Sequence, residues 1–143
     1  MPLALFLMAA GAAPFLGGAL ATVLGWMELP ILGATRAWFE SYGLVIAAFM
    51  AGTLWGRGRP GGADEDRVAL IASNAVALCL WAGAALTSGG WRDILLAALF
   101  VALLVIEGAR SASLAYPPAY RRGRAAVTAL VVASLLLHAA AQA

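Results

Sequence analysis

Residues 57–87 read RGRPGGADEDRVALIASNAVALCLWAGAALT, and the change of character at Arg67–Val68 decides the fold. Arginine, acid, glycine and proline fill residues 57–67, whereas no side chain from Val68 to Thr87 carries a charge. The first part has the composition of a solvated, turn-rich loop. The second, at about 1.5 Å per helical residue, is long enough to cross the roughly 30 Å hydrocarbon core of a bilayer.

The same alternation recurs on both sides of this stretch. Apolar runs over 3–24, 42–56, 94–109 and 125–140 join 68–87, so the sequence predicts an all-α integral membrane bundle of five transmembrane helices in a single domain, 1–143. Composition agrees: 64% of residues are hydrophobic without counting Gly, against roughly 45–50% with Gly included in soluble domains. Pro14 is expected to kink the first span. Ala-rich steps near Ala13 resemble a signal-peptide cleavage site, but the apolar run continues past Pro14, and a retained helix is predicted.

Between the first two spans, Gly25 to Ser41 carries Glu28, Pro30, Arg36 and Glu40 among Trp26, Trp38 and Phe39, the pattern of an interfacial segment. The second span is short for a crossing and needs local thinning or an extension back through Trp38. Ser88, Gly89 and Gly90 make a tight turn, and Asp93 is placed as the cap of the fourth span.

Seven of the nine arginines, Arg57, Arg59, Arg67, Arg110, Arg121, Arg122 and Arg124, fall on one face once five spans are threaded, leaving Arg36 and Arg92 opposite. The positive-inside bias of short loops then predicts a cytoplasmic amino terminus and a non-cytoplasmic carboxyl terminus. Arginine that follows the loops is not the basic stripe of a nucleic-acid surface, and no nucleic-acid partner is expected. The lone Cys79 in an apolar span leaves neither an intrachain disulfide nor a zinc cluster.

Three trios of small residues at four-residue spacing, Gly17, Ala21 and Gly25; Ala48, Gly52 and Gly56; Ala75, Cys79 and Gly83, predict close helix packing. The first reading is packing inside the bundle; the alternative is a face for a neighbouring membrane subunit. Among intramembrane ionisable groups, Glu107 reads as an interfacial salt bridge to the arginines opening the fifth span, with a proton-handling or ligand role as the alternative. His138 reads as an exposed terminal histidine, with axial ligation of a partner's pigment as the alternative. Asn74, Ser73, Thr53 and Thr128 lie at the depth of Glu107, so Asn74, Glu107, Arg122, Arg124 and Thr128 form a candidate polar cluster or clamp. No nucleophile sits with a base, no metal set is present, and no phosphate-cradling Gly motif occurs, which disfavours an enzyme.

The run Tyr42-Gly43-Leu44-Val45-Ile46-Ala47-Ala48-Phe49-Met50-Ala51-Gly52-Thr53-Leu54-Trp55-Gly56, the set Pro117, Tyr120, Arg122, Arg124 and Thr128, and the opening Gly11-Ala12-Ala13-Pro14-Phe15 resemble a family of short bacterial five-helix membrane proteins. That family is catalogued as a domain of unknown function and related to eukaryotic transmembrane protein 69. The resemblance implies the fold and a place in the bacterial inner membrane, and no activity. A histidine often precedes the tryptophan of its second span, and Leu54 stands there in this chain. The small Trp-rich translocator proteins that bind porphyrins and sterols share five helices, but their Trp- and Pro-dense signature is missing.

Lipids and other integral membrane subunits are therefore the expected partners. The leading expectation is a non-catalytic accessory or assembly subunit packed against a larger, energy-transducing membrane complex. The alternative is a binder or transporter of a small hydrophobic molecule such as a lipid, quinone or pigment, and a membrane enzyme stands third. No resident cofactor is predicted; a bound lipid, quinone or pigment belongs to the alternative.

Overall fold

The computed structural model describes residues 2–57, 61, 66–109 and 116–142. The loop arginines Arg59 and Arg110 and the acidic Asp64 and Glu65 lie outside the described residues. Among those described, five helices run in chain order: α1 (Pro2–Val23), α2 (Thr35–Arg57), α3 (Arg67–Leu86), α4 (Gly90–Ala109) and α5 (Pro118–Ala140). Four of them are long and apolar enough to cross a membrane; α4 differs by carrying Arg92, Asp93 and Glu107 within its 20 residues. The chain is a multi-pass helical membrane protein.

Helix ends differ from the apolar runs for local reasons. α2 begins at Thr35, so the short second span becomes a 23-residue helix by extension back through Trp38, one of the two remedies its length called for, and takes in Phe39 and Glu40. Before it, β1 (Glu28–Leu29) and β2 (Gly33–Ala34) form a small antiparallel hairpin, with Glu28 opposite Ala34 and Leu29 opposite Gly33. Thr35 ties the hairpin base to the end of α1, its N–H donating to the Met27 carbonyl and its hydroxyl to that of Trp26. α3 starts where Asp66 accepts the Ala69 N–H at 3.0 Å, an N-cap. α5 starts at Pro118 after Pro117, because proline at the first helical position has its φ set and no N–H to lose. The helix therefore takes in Arg121, Arg122 and Arg124, which the apolar run left in a loop. Asp93 is not the cap of α4 but lies inside its first turn. α1 runs through Pro14 to Val23.

α1, α2, α4 and α5 enclose the core, and α3 packs on the outside against α2 and α4. At the centre Phe15 is fully buried and meets Phe39, Tyr42 and Phe100 edge-on, with ring centroids 5.9, 5.1 and 5.8 Å away. The Tyr42 hydroxyl donates to the Gly11 carbonyl at 2.8 Å, so α1 and α2 are pinned at this level. Ser73 donates to the Ala51 carbonyl at 2.7 Å and joins α3 to α2.

The small-residue trios divide between the two readings. Ala21 and Gly83 are buried, and a Cβ on Gly83 would lie 2.1 Å from Leu95 Cδ2. Gly17, Gly25, Ala48, Gly52, Gly56, Ala75 and Cys79 instead face outward. Close packing on α2 uses the row one position earlier, Gly43, Ala47 and Ala51, and on α1 it uses Gly18, where a Cβ would lie 2.2 Å from the Phe39 ring. Two rows of small residues one position apart look alike as a pattern; the bulky neighbours Phe39 and Leu54 share the face of the inner row and turn it toward the core.

Candidate functional site

Two buried polar clusters occupy opposite ends of the bundle, and both bridge α4 to α5. At the first, Glu107 near the end of α4 accepts from Arg124 Nε at 2.9 Å and Arg57 Nη1 at 3.0 Å, and more weakly from the Tyr120 hydroxyl at 3.4 Å. The Glu107 and Arg124 side chains are each only 7% exposed, whereas Arg57 is 28% exposed. Arg124 Nη1 donates to Thr128 Oγ1 at 2.9 Å, and Arg124 Nη2 is buried without a hydrogen-bond partner among the described residues. Arg57 also lies over the Tyr116 ring, 5.1 Å from its centroid, and Tyr116 stacks on Tyr120. Burial lifts the Tyr116 phenol above the usual tyrosine range despite the opposing pull of the Arg57 charge, so it stays protonated.

The residues of the proposed clamp divide. Glu107, Arg124 and Thr128 come together here. Arg122 does not: it is exposed, and Arg57 from the end of α2 supplies the second guanidinium. Asn74 does not either, since it faces outward and donates to the Leu70 carbonyl of its own helix at 2.9 Å. Thr53 likewise donates to the Met50 carbonyl at 2.7 Å.

The second cluster is absent from the sequence reading. His138 is buried, not exposed, and its Nδ1 lies 2.7 Å from Oδ2 of Asp93, which is fully buried. We assign the Nδ1 proton to this contact; Gln142 Nε2, 2.8 Å from Nδ1 and 3.0 Å from Nε2, then donates to Nε2. Phe39 covers the imidazole, with ring centroids 4.4 Å apart. Beside it Glu40, also buried, receives Arg36 Nε at 2.8 Å and Arg92 Nη1 at 2.5 Å. Arg92 Nη2 donates to the Ala84 and Thr87 carbonyls at the end of α3, where a cation meets the negative end of the helix dipole. Available signals were the i,i+4 spacing of Arg36 and Glu40, and the placement of Asp93 and His138 at the adjoining ends of antiparallel neighbours.

The two α4–α5 pairs share one register. Asp93 precedes Glu107 by the same 14 residues that separate Arg124 from His138, about 21 Å of helix. Leu96, Phe100 and Leu103, buried between the α4 acids, thus come level with Leu135, Val131 and Thr128 on α5.

Between the clusters, on the Glu107 side, lies a cavity of about 320 Å³ bounded by α1, α2 and α5, with Phe100 of α4 in its wall. Its body is apolar, formed by side chains such as Met8, Phe15, Ile46, Met50 and Val131. Its polar end holds Thr53, Arg57, Tyr120, Arg124 and Thr128. Leu7 on α1 and Phe49 on α2, both exposed, mark a mouth between those helices, below the level where Tyr42 pins them together. On the loop side of Glu107 a second hollow of about 400 Å³ is lined by Arg121, Arg122 and Arg124 with Tyr116 and Tyr120. Glu107 and Arg124 form the partition between an arginine-rich surface and an apolar interior.

Residues 1–140 match a family described as a protein of unknown function, DUF3429. The chain belongs to that family. No curated protein and no solved structure matches it.

Proposed function

We propose that this DUF3429 member binds a small amphipathic molecule within the membrane, in the cavity bounded by α1, α2 and α5. The observation that carries this reading is Arg124 Nη2, a buried charged donor with no partner among the described residues, on a side chain at the polar end of a cavity whose body is apolar. A volume of about 320 Å³ falls in the range of small-molecule sites, and apolar walls with a few convergent polar groups are their usual chemistry. The test is mass spectrometry of organic extracts from protein purified in mild detergent. One lipid, quinone or pigment species enriched over bulk lipid is expected, and its loss in Val127→Phe, which fills the cavity. Extracts indistinguishable from bulk lipid would remove the reading.

The outward rows Ala48, Gly52 and Gly56 on α2 and Ala75 and Cys79 on α3 favour a second role, lateral packing as an accessory subunit of a larger, energy-transducing membrane complex. Co-purification of stoichiometric membrane partners supports it, and isolation as a lone monomer at native expression refutes it. In both readings α4 is the fifth crossing, its three charges paired near the two membrane faces. The bias of seven arginines to two supports a cytoplasmic amino terminus in a bacterial inner membrane. The same motifs, Tyr42–Gly56 above all, support kinship with eukaryotic transmembrane protein 69.

A further inference from the structure

We infer that the occupant of the α1–α2–α5 cavity is a single-chain amphiphile with an anionic oxygen headgroup, its headgroup at Arg124 and its chain running along the bundle toward Phe15. The inference rests on the cavity reading above and adds the charge of the ligand. The two polar clusters differ in charge balance. At the His138 end two arginines, Arg36 and Arg92, stand with two acids, Glu40 and Asp93, although Arg92 Nε and Asp93 Oδ1 are also buried there without a hydrogen-bond partner among the described residues. At the cavity end Arg57 and Arg124 share one carboxylate, Glu107, so among the described residues two guanidiniums meet a single acid. Arg124 adds the unmet demand of Nη2, which is buried. A guanidinium cannot shed its proton, so only an acceptor can satisfy it, and an anionic acceptor satisfies donor and charge together.

The surroundings reinforce that sign. Arg121 and Arg122 line the adjoining surface hollow together with Pro118, the first residue of α5, and a helix amino terminus favours negative charge. Shape restricts the tail. The lining extends from Arg57 to Ile46 on α2, about 16 Å, and from Arg124 to Val131 on α5, about 10 Å, with the polar groups gathered at one end. An elongated space with a charged end and a mouth between α1 and α2 suits one acyl chain entering from the lipid. With Arg124 Nε and Nη1 engaged by Glu107 and Thr128, Nη2 is the nitrogen left for an oxygen acceptor, which a carboxylate or a phosphate equally provides; because it is buried, the side chain must shift to reach one.

The test uses the full chain in phosphatidylcholine nanodiscs and three labelled probes of equal chain length: palmitate, palmitoyl lysophosphatidate and hexadecanol. Equilibrium retention of at least one anion is expected to exceed that of hexadecanol by about tenfold or more, and the stronger anion identifies the source of the headgroup. Arg124→Gln removes the free donor and is expected to bring the anions to the level of hexadecanol. Arg57→Gln, at a partly exposed and structurally milder position, removes one of the two guanidiniums and is expected to lower anion retention while leaving hexadecanol unchanged. Equal retention of all three probes by the unaltered protein, abolished by Val127→Phe, overturns the charge assignment and leaves the cavity reading standing. Retention of none of them overturns both.

Discussion

Replacing Glu107 with Gln tests whether the α2–α4–α5 clamp holds the bundle. Gln keeps the size of the side chain and an acceptor oxygen, so the change isolates charge. The contacts at 2.9 Å to Arg124 and 3.0 Å to Arg57 become neutral-acceptor hydrogen bonds, roughly half as strong. Among the described residues two guanidiniums then remain without a carboxylate. Removing one member of a fully buried pair typically costs about 3–5 kcal/mol. Arg124 and Glu107 meet that condition at 7% side-chain exposure each, while Arg57, 28% exposed, is partly relieved by water and contributes less. Retention of one hydrogen-bonding oxygen lowers the total, and the expected loss is about 2–3 kcal/mol. Reversible unfolding in mixed micelles by titrated SDS measures it. A double-mutant cycle with Arg124→Gln should return a coupling above about 1 kcal/mol. A loss below about 0.5 kcal/mol, the scale of an exposed ion pair, together with additive single changes, would refute the clamp.

His138→Ala should destabilise by about 3 kcal/mol in the same assay because Asp93 is fully buried; changing both to Leu should recover most of it, and no recovery would mean the pair is not the cause. Gly18→Ala should lose about 1–3 kcal/mol by forcing Phe39 aside, whereas Gly52→Ala, with nothing within 4 Å of the new methyl, should be neutral or slightly stabilising. The reverse order would show that the outward row is the one packed within the bundle. A reporter fused after residue 143 should be active only outside the cytoplasm, and cytoplasmic activity would overturn the orientation or show that one span does not cross.

The apolar runs exposed the helices plainly, since a bilayer permits no other use for 20 uncharged residues. Helix ends were less legible because they are set by caps: Pro118 starts α5 seven residues before its apolar run, and Thr35 starts α2 seven residues before Tyr42. Of the clamp, Glu107, Arg124 and Thr128 could be read from depth alone. Arg57 could not, because its helix meets α4 only through the tertiary arrangement, and Arg122 looked equivalent to Arg124 until helical phase put Arg124 and Thr128, four apart, on the buried face. The His138 cluster was missed for a related reason. A lone histidine at a helix end reads as exposed unless its partner, 45 residues earlier, is known to adjoin it.

The equal spacing on α4 and α5 gives the polar ends a joint role. A one-turn slip of α5 against α4 would separate Asp93 from His138 and Glu107 from Arg124 at once, leaving up to four buried polar groups unpaired. A uniform Leu and Val seam would resist that slip far less. If α4 crosses as the fifth span, centred in a hydrocarbon layer of about 30 Å, clusters about 21 Å apart would each lie about 4–5 Å inside a boundary. At that depth the partly exposed Arg57 and Arg92 side chains would reach toward headgroups, so α4's charges would avoid mid-membrane burial. Register locking needs only balanced pairs, and the His138 end achieves it with two acids for two arginines. Among the described residues the second guanidinium and the unpartnered Nη2 at the Arg124 end are not needed for that lock, and on our proposal their place at the cavity's polar end serves the capture of a negative headgroup.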